Sequence, residues 1–435
     1  MLVCPALRIA LVSHLVLEKF QLKPKMMDLF AGTHELTKGS ELEIFPFIAN
    51  FDRQEWNSVV KKDNFFMQYD FLQVFERQAP SNLSFHYALV RENGKAKAAF
   101  CFQVILLTAE DIGMLLKPVS GDSKSPLITN QWGEWLQRKK KNTGMRILVN
   151  GNNFISGEYG VAIAEGADEE KMYLALADTV KLIMKNDVVP AKISSVLVKD
   201  HFSIGEKPLA ADALKKKRYH RFLVEPEMVV DTDPNWKTFD DYLNAMSKKY
   251  RKRAKDVMKD SSSLEVTELS IDEMQEEKEV IHQLYLNLHN KAKFKMSALT
   301  SDYFVEMKRN FPQAFRVFVY RLNGKIVAFR SSFTTPAHLE AHYIGMDYEL
   351  NNDLHIYQRI LYDFVEQSIL SGQRPLYLGR TASEMKSTVG ATPLDLVCYM
   401  RHRNGFSNQV IRPFIDYLQP SSWTPRNPFK EGSVA

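Results

Sequence analysis

The chain has 435 residues, 45% of them hydrophobic and 25% charged, with a formal net charge of +5. This is ordinary globular composition, so fibrous, collagenous and wholly disordered classes are excluded, and the length points to two domains rather than one. The charge is concentrated: residues 237–259 hold eight Lys or Arg against three Asp, an excess equal to that of the whole chain.

The first 17 residues are apolar, but Arg8 and His14 interrupt them and a membrane span needs about 20 apolar residues. They lack the cationic start and small-residue cleavage pattern of a signal peptide, and Met26 or Met27 is an alternative start. The expectation is a cytoplasmic protein with a loose segment over residues 1–40. Cys4, Cys101 and Cys398 are far apart and outside any ligand spacing, which supports neither a disulfide framework nor a metal site. Cys101 and Cys398 read as small residues in packed strands of a protein from a reducing compartment.

Residues 65–76 carry a helical apolar stripe, and residues 85–90 and 96–107 read as strands joined by the Asn93-Gly94 turn. Pro, Ser, Gly and Asp make residues 116–127 a loop, after which a strand at 146–149, a helix at 169–185 and a strand at 193–199 follow. The polar stretch 205–217, whose Lys215-Lys216-Lys217-Arg218 run reads as solvated, separates the two halves and places the domain boundary there. Expected domains are 41–205 and 218–420.

The second half opens with a strand over 219–230. Thr238 and Asp241 then announce a single helix running to about residue 259. Helices are expected at 272–290 and 301–311, strands at 314–320 and 326–333 around Asn323-Gly324, a strand at 339–348, a helix at 354–370, and strands at 375–378 and 396–401. The first half repeats part of this order, so the fold class is α/β (α+β), with two similar modules in tandem, each a mixed, largely antiparallel sheet flanked by helices.

The order helix, helix, hairpin, strand, helix, strand looks like the core of the GNAT acyltransferases. His342-Tyr343-Ile344-Gly345-Met346-Asp347, followed by Tyr377-Leu378-Gly379-Arg380 and Glu384-Met385-Lys386-Ser387, resembles the acyltransferase module of FemAB-like bacterial proteins. The basic segment from Trp236 to Lys259 is similar to the helix that opens that module. Tyr69-Asp70-Phe71-Leu72 with Phe75-Glu76 resembles the N-terminal part of peptidoglycan biosynthesis or recognition proteins. The resemblance covers roughly residues 60–405. It implies N-acyl transfer from an activated donor, an acyl-CoA, acyl carrier or aminoacyl-tRNA acting as cosubstrate rather than as a resident cofactor, to an amine of a cell-envelope precursor, lipid or small molecule. The strand-to-helix turn at 349–355 is Asn-rich and lacks the Gly-rich loop of ordinary GNAT enzymes, which puts CoA in question.

Such a reaction needs a base, an oxyanion donor and an acid. Asp347 and Glu349, alternating at a strand end, are the candidate bases, against the plainer reading of a solvated strand end. Tyr343 is the candidate acid, against a core aromatic, and strand alternation forbids His342 and Tyr343 from entering one cleft. Arg380 and Lys386, beyond the flexible Gly379, suit a phosphate or carboxylate. Lys248, Arg251, Lys252 and Lys255 fall on one helical face, either solvated or turned to an anionic partner such as a nucleotide diphosphate, carrier-protein phosphopantetheine, tRNA or membrane surface. A helix start near Leu354 offers free N–H donors to an anion. Two other functions stay open: a non-catalytic binding protein of the same fold for peptidoglycan-type or other anionic ligands, and nucleic-acid binding through residues 237–259.

Overall fold

Two stretches of the chain build the same eight elements in the same order. The first is β2 (Ser40–Phe45), α1 (Arg53–Val59), α2 (Tyr69–Gln78), β3 (Leu83–Glu92), β4 (Lys95–Leu107), β5 (Met145–Asn150), α3 (Glu169–Asn186) and β7 (Ile193–Ser203). The second is β9 (Glu265–Glu268), α6 (Ile271–His289), α7 (Ser301–Asn310), β10 (Phe315–Leu322), β11 (Lys325–Thr334), β12 (Leu339–Met346), α9 (Ile356–Ser371) and β13 (Leu376–Tyr377). In each, the first four strands pair antiparallel in sequence, and the last strand returns parallel to the fourth after a crossover helix.

This computed structural model describes residues 32–37, 40–107, 145–187, 192–205, 208–291 and 297–410, with 415, 420, 423–430 and 432. The expected loop at 116–127, the start of the chain and Cys4 lie outside the described residues. Within them, β1 (Gly32–Thr37) extends the first repeat at its edge and β6 (Val161–Ile163) pairs with β4. Between the repeats, β8 (His220–Val230) and β14 (Thr392–His402) pair with each other, β14 joins β7 and β8 joins β13. One continuous sheet therefore carries both repeats, with the β14–β8 pair at its centre.

Local chemistry explains most boundaries. Asn93 and Asn323 take φ of 51° and 50°, each followed by a left-handed glycine, as a tight hairpin turn requires. Asp168 caps α3 through the Lys171 N–H at 3.0 Å, and Ser270 with Glu273 forms a capping box on α6. The expected single helix over 238–259 is two: α4 (Phe239–Ala245) and α5 (Lys248–Asp260). Met246 and Ser247 are extended, with Met246 fully buried and bridged to Phe429. Burial of that side chain outweighs helix continuity. The Lys215-Lys216-Lys217-Arg218 run lies at the surface as expected, while Ala210–Lys217 is a 3-10 helix that buries Ala211, Ala213 and Leu214, with Lys216 and Lys217 paired to Glu170 and Asp178 of α3.

Three large cores flank the sheet among the described residues. The largest joins α1 and α2 of the first repeat to α6 and α7 of the second, with Phe65 against Phe311 at 5.3 Å and Phe75 against Tyr303 at 6.3 Å between ring centres. A second lies under α4, α5 and α9, and a third under α3. Cys101 and Cys398 are free and buried. No helix among the described residues is long and apolar enough to cross a membrane.

Candidate active site

β12 and β13 pair over only two residues, Leu339 with Leu376 and Glu340 with Tyr377, and at that point β13 also meets β8. Charged side chains from several elements converge on this junction of the repeats. β8 supplies Glu227, the start of β12 supplies His338 and Glu340, β13 supplies Tyr377, and the short helix α10 (Ser383–Ser387) supplies Lys386.

Glu227, Glu340 and Lys386 are 1%, 3% and 4% exposed. The Gly379 N–H donates to Glu227 Oε1, and Lys386 Nζ donates to the Gly379 carbonyl at 3.0 Å. Gly379 has φ of 80°, a conformation that glycine adopts without strain. Glu227 Oε2 is buried and has no hydrogen-bond partner among the described residues. His338 Nε2 lies 3.1 Å from Glu340, and its ring stacks on Tyr377 at 4.5 Å.

Burial and the neighbouring Glu340 charge push the Glu227 carboxyl up to about 8. Burial also raises Glu340 well above the carboxylate range. Lys386 is pulled down to about 8 by burial, against the opposing pull of Glu227 and Glu340. Burial holds His338 neutral, at about 4. The Glu227 carboxyl and the Lys386 amine thus exchange protons near neutrality beside a second carboxyl raised by burial, the arrangement in which one group accepts a proton while another gives one.

The first repeat walls the other side. Burial raises Tyr159 well above its ordinary range, with the Glu340, Glu227 and Glu158 charges adding to the shift. Glu158 itself is exposed and accepts from the Phe202 N–H at 2.9 Å.

Of the residues singled out in the sequence, Lys386 lies in this cluster and Arg380 at its margin, 3.1 Å from Asp200. Asp347 and Glu349 lie past the far end of β12, where Asp347 Oδ1 accepts from the Glu349 N–H at 3.0 Å and Glu349 is exposed. The Tyr343 hydroxyl donates to the Phe154 carbonyl at 3.1 Å, linking the repeats. His342 and Tyr343 do pack on one side, contrary to strict alternation: their rings are 4.5 Å apart and meet Tyr303 and Phe304 of α7. A bulge causes this, since Ile344 faces Arg330, Ala341 faces Ser332, and Ser331 alone stands opposite the two residues between.

The basic face of α5 divides. Arg251 donates to the Met246 carbonyl at 3.1 Å, Lys252 pairs with Asp256 at 2.9 Å, and Lys248 and Lys255 are exposed. Lys252, Arg253 and Lys259 line a cleft of about 670 Å³ with His355 and Gln358. The cleft reaches Met385, the neighbour of Lys386. At the start of α9, the Tyr357 N–H is taken by Asn351 Oδ1 at 2.9 Å, so one donor expected for an anion is engaged by α8 (Asn351–Leu354).

Glu227 and Glu340 escaped the sequence reading. The available signals were an acid among apolar neighbours in the strand over residues 220–230, and the alternation His338, Glu340, His342 along one strand.

The model of the FemAB-like family, described as peptidoglycan biosynthesis/recognition, matches residues 160–421, more than half of the chain. No curated protein matches the sequence. Among solved structures, FemX is similar at 12% identity and a TM-score of 0.49, covering 83% of this chain and 98% of its own. A tandem GNAT protein from the clavulanic acid biosynthesis pathway gives 12% identity and 0.47, covering 83% and 99%. The C-terminal domain of a putative lysylphosphatidylglycerol synthetase from Agrobacterium fabrum gives 12% and 0.44, covering 85% and 97%.

Proposed function

Because this chain belongs to the FemAB-like family of peptidoglycan biosynthesis and recognition, we propose that it is an N-acyltransferase with its reaction centre at Glu227, Glu340 and Lys386. It moves an acyl or aminoacyl group from an activated donor to an amine of a cell-envelope precursor, lipid or small molecule. The observation that carries this reading is the buried, unpartnered Oε2 of Glu227 beside the Lys386 amine.

The acceptor nitrogen attacks the donor carbonyl and a C–N bond forms. Glu227 takes the proton released from nitrogen. The Lys386 ammonium stabilises the oxyanion and then protonates the departing sulfur or oxygen as the bond between carbonyl carbon and donor breaks. Proton return from Glu227 to Lys386, within one buried cluster, resets the site. The cleft beside α5 suits the anionic part of the donor, an acyl-CoA, carrier phosphopantetheine or tRNA end, through Arg253, Lys252 and Lys259. Asp347, Glu349 and Tyr343 take no step in this scheme.

The Asn351 contact favours a second reading, a binding protein of the same fold that takes no donor, because it engages an N–H that a donor phosphate would use. Melting temperature against acetyl-CoA, long-chain acyl-CoA, CoA, a UDP-sugar peptide and charged tRNA separates the two, since a ligand of the folded state raises it. Stabilisation by a donor class that Lys386→Met or Arg253→Ala diminishes supports transfer. Stabilisation by the UDP-sugar peptide alone supports binding.

A further inference from the structure

Asp200 takes no part in the scheme above, yet it is fully buried and its φ is 60°. Residues other than glycine hold that backbone region only where the surroundings over-determine it, and such strain collects at functional sites. Here a bulge imposes it. Val198 faces Tyr399 and His201 faces Val397, so Lys199 and Asp200 together stand opposite Cys398 alone.

Four groups converge on the Asp200 carboxylate. Lys199 Nζ contacts Oδ2, Arg380 Nη1 lies 3.1 Å from Oδ1, the Gly157 N–H is 3.4 Å from Oδ2, and Cys398 Sγ is 3.7 Å from Oδ1. Lys199 in turn donates to the carbonyls of Asn152 at 2.7 Å and Ile155 at 3.1 Å. One carboxylate thus ties down the first repeat's loop over residues 151–159, which ends in Glu158 and Tyr159, and the second repeat's turn at Gly379 and Arg380. These are the two walls of the Glu227 cluster. Burial alone would raise Asp200, but Arg380 and Lys199 hold it below the usual carboxylate range, so it remains an anion there.

We infer that Asp200 is a positioning residue for the Glu227–Lys386 centre: by engaging Arg380 it keeps the guanidinium off Glu227 and holds Gly379 where its N–H meets Glu227 and its carbonyl meets Lys386. The inference rests on the reading of Glu227 as the base. Glu227 is faced by Glu340 and His338 of β12, Tyr377 of β13, Lys386 of α10, Arg380, and Tyr159 of the first repeat. Asp200 is faced by Lys199, His201, Arg380 and Cys398. Arg380 is the cation common to both sets.

The test is a pH titration by carbon-13 NMR of the full chain labelled at glutamate carboxyls, with Glu227 assigned through Glu227→Gln. In the unaltered chain Glu227 is expected to titrate near 8. In Asp200→Asn the released Arg380 turns to Glu227, and the midpoint falls by about one unit or more, a tenfold change in proton affinity. Adding Arg380→Met to Asp200→Asn restores the high midpoint, which a general loosening of the fold would not do. If Asp200→Asn fails to fold, Arg380→Met alone is the variant to titrate, and the midpoint is expected to rise. An unmoved midpoint in either single variant, or no restoration in the double, overturns the inference while leaving Glu227 as the base. An ordinary carboxylate midpoint for Glu227 in the unaltered chain takes down both.

Discussion

Glu227 and Lys386 meet through one peptide: Gly379 gives its N–H to the Glu227 carboxylate and accepts Lys386 Nζ on its carbonyl at 3.0 Å. The two side chains come from β8 and α10, far apart in sequence, and belong to one buried cluster in which Gly379 stands between them. That separation leaves Glu227 Oε2 available to a substrate nitrogen.

Glu227→Gln keeps the shape of the side chain and its bond from Gly379, but removes the proton acceptor. Transfer is expected to slow by about 10²–10⁴-fold, the usual contribution of general base catalysis, with secondary structure retained by circular dichroism. A rate within a few-fold of the unaltered chain sinks Glu227 as the base.

The same substitution changes how stability depends on pH. Glu227 has a folded value of about 8, raised above its ordinary value of 4.5, so its contribution is fully present below the lower value and lost as pH rises through the upper. The melting temperature of the unaltered chain should therefore fall relative to that of Glu227→Gln between about pH 4.5 and 8. Lys386, lowered to about 8, acts oppositely, gaining stability as pH rises from about 8 towards its ordinary value of 10.5, and loss of the Glu227 charge in the variant lowers it further. A pH-independent difference between the two proteins would remove the raised carboxyl.

The anion-binding expectation for α5 divides in a way that substitutions can resolve. Arg253→Ala and Lys259→Ala, which alter the cleft, are expected to weaken stabilisation by a phosphate-bearing donor, and added salt should weaken it further. Lys248→Ala and Lys255→Ala, outside the cleft, should leave it within experimental scatter. Equal effects at all four positions would point to a diffuse helical face rather than a cleft.

At Gly345, β12 lies tightly against α6. A Cβ there would lie 2.5 Å from the Leu284 carbonyl carbon and 2.5 Å from the Phe329 ring. Backbone cannot move aside cheaply, so Gly345→Ala is expected to destabilise by about 1–3 kcal/mol, read as a lower urea midpoint at unchanged slope. Full retention of the midpoint would show that the helix and strand are free to separate.

Tyr343→Phe tests the hydroxyl that bridges to Phe154. Loss of one hydrogen bond between the repeats should cost about 0.5–1.5 kcal/mol and leave transfer nearly intact. A hundredfold rate loss would instead return Tyr343 to the role of acid.

The sheet and its crossover helices were legible because their signals are local. Asn93-Gly94 and Asn323-Gly324 fix two hairpins, and apolar periodicity marks the helices at 169–186 and 356–371. The strand β2, next to the sheet edge, and the edge strand β9 were not found, since they are only six and four residues long. The break at Met246 and the bulge at His342 and Tyr343 depend on what each side chain packs against, which periodicity does not encode. Arg380 and Lys386 were visible as cations beside a glycine. Glu227 and Glu340 became a site only when β8 and β12 were joined through the two residues of β13.

The most direct measurement is single-turnover transfer from a labelled acyl-CoA or aminoacyl-tRNA to a lysine-containing UDP-sugar peptide, comparing the unaltered chain with Glu227→Gln at equal donor occupancy. The expected result is labelled product from the unaltered chain and a loss of at least about a hundredfold in the variant, with donor binding retained. Transfer by Glu227→Gln at the unaltered rate would contradict the assignment of the chemistry to the Glu227–Lys386 cluster.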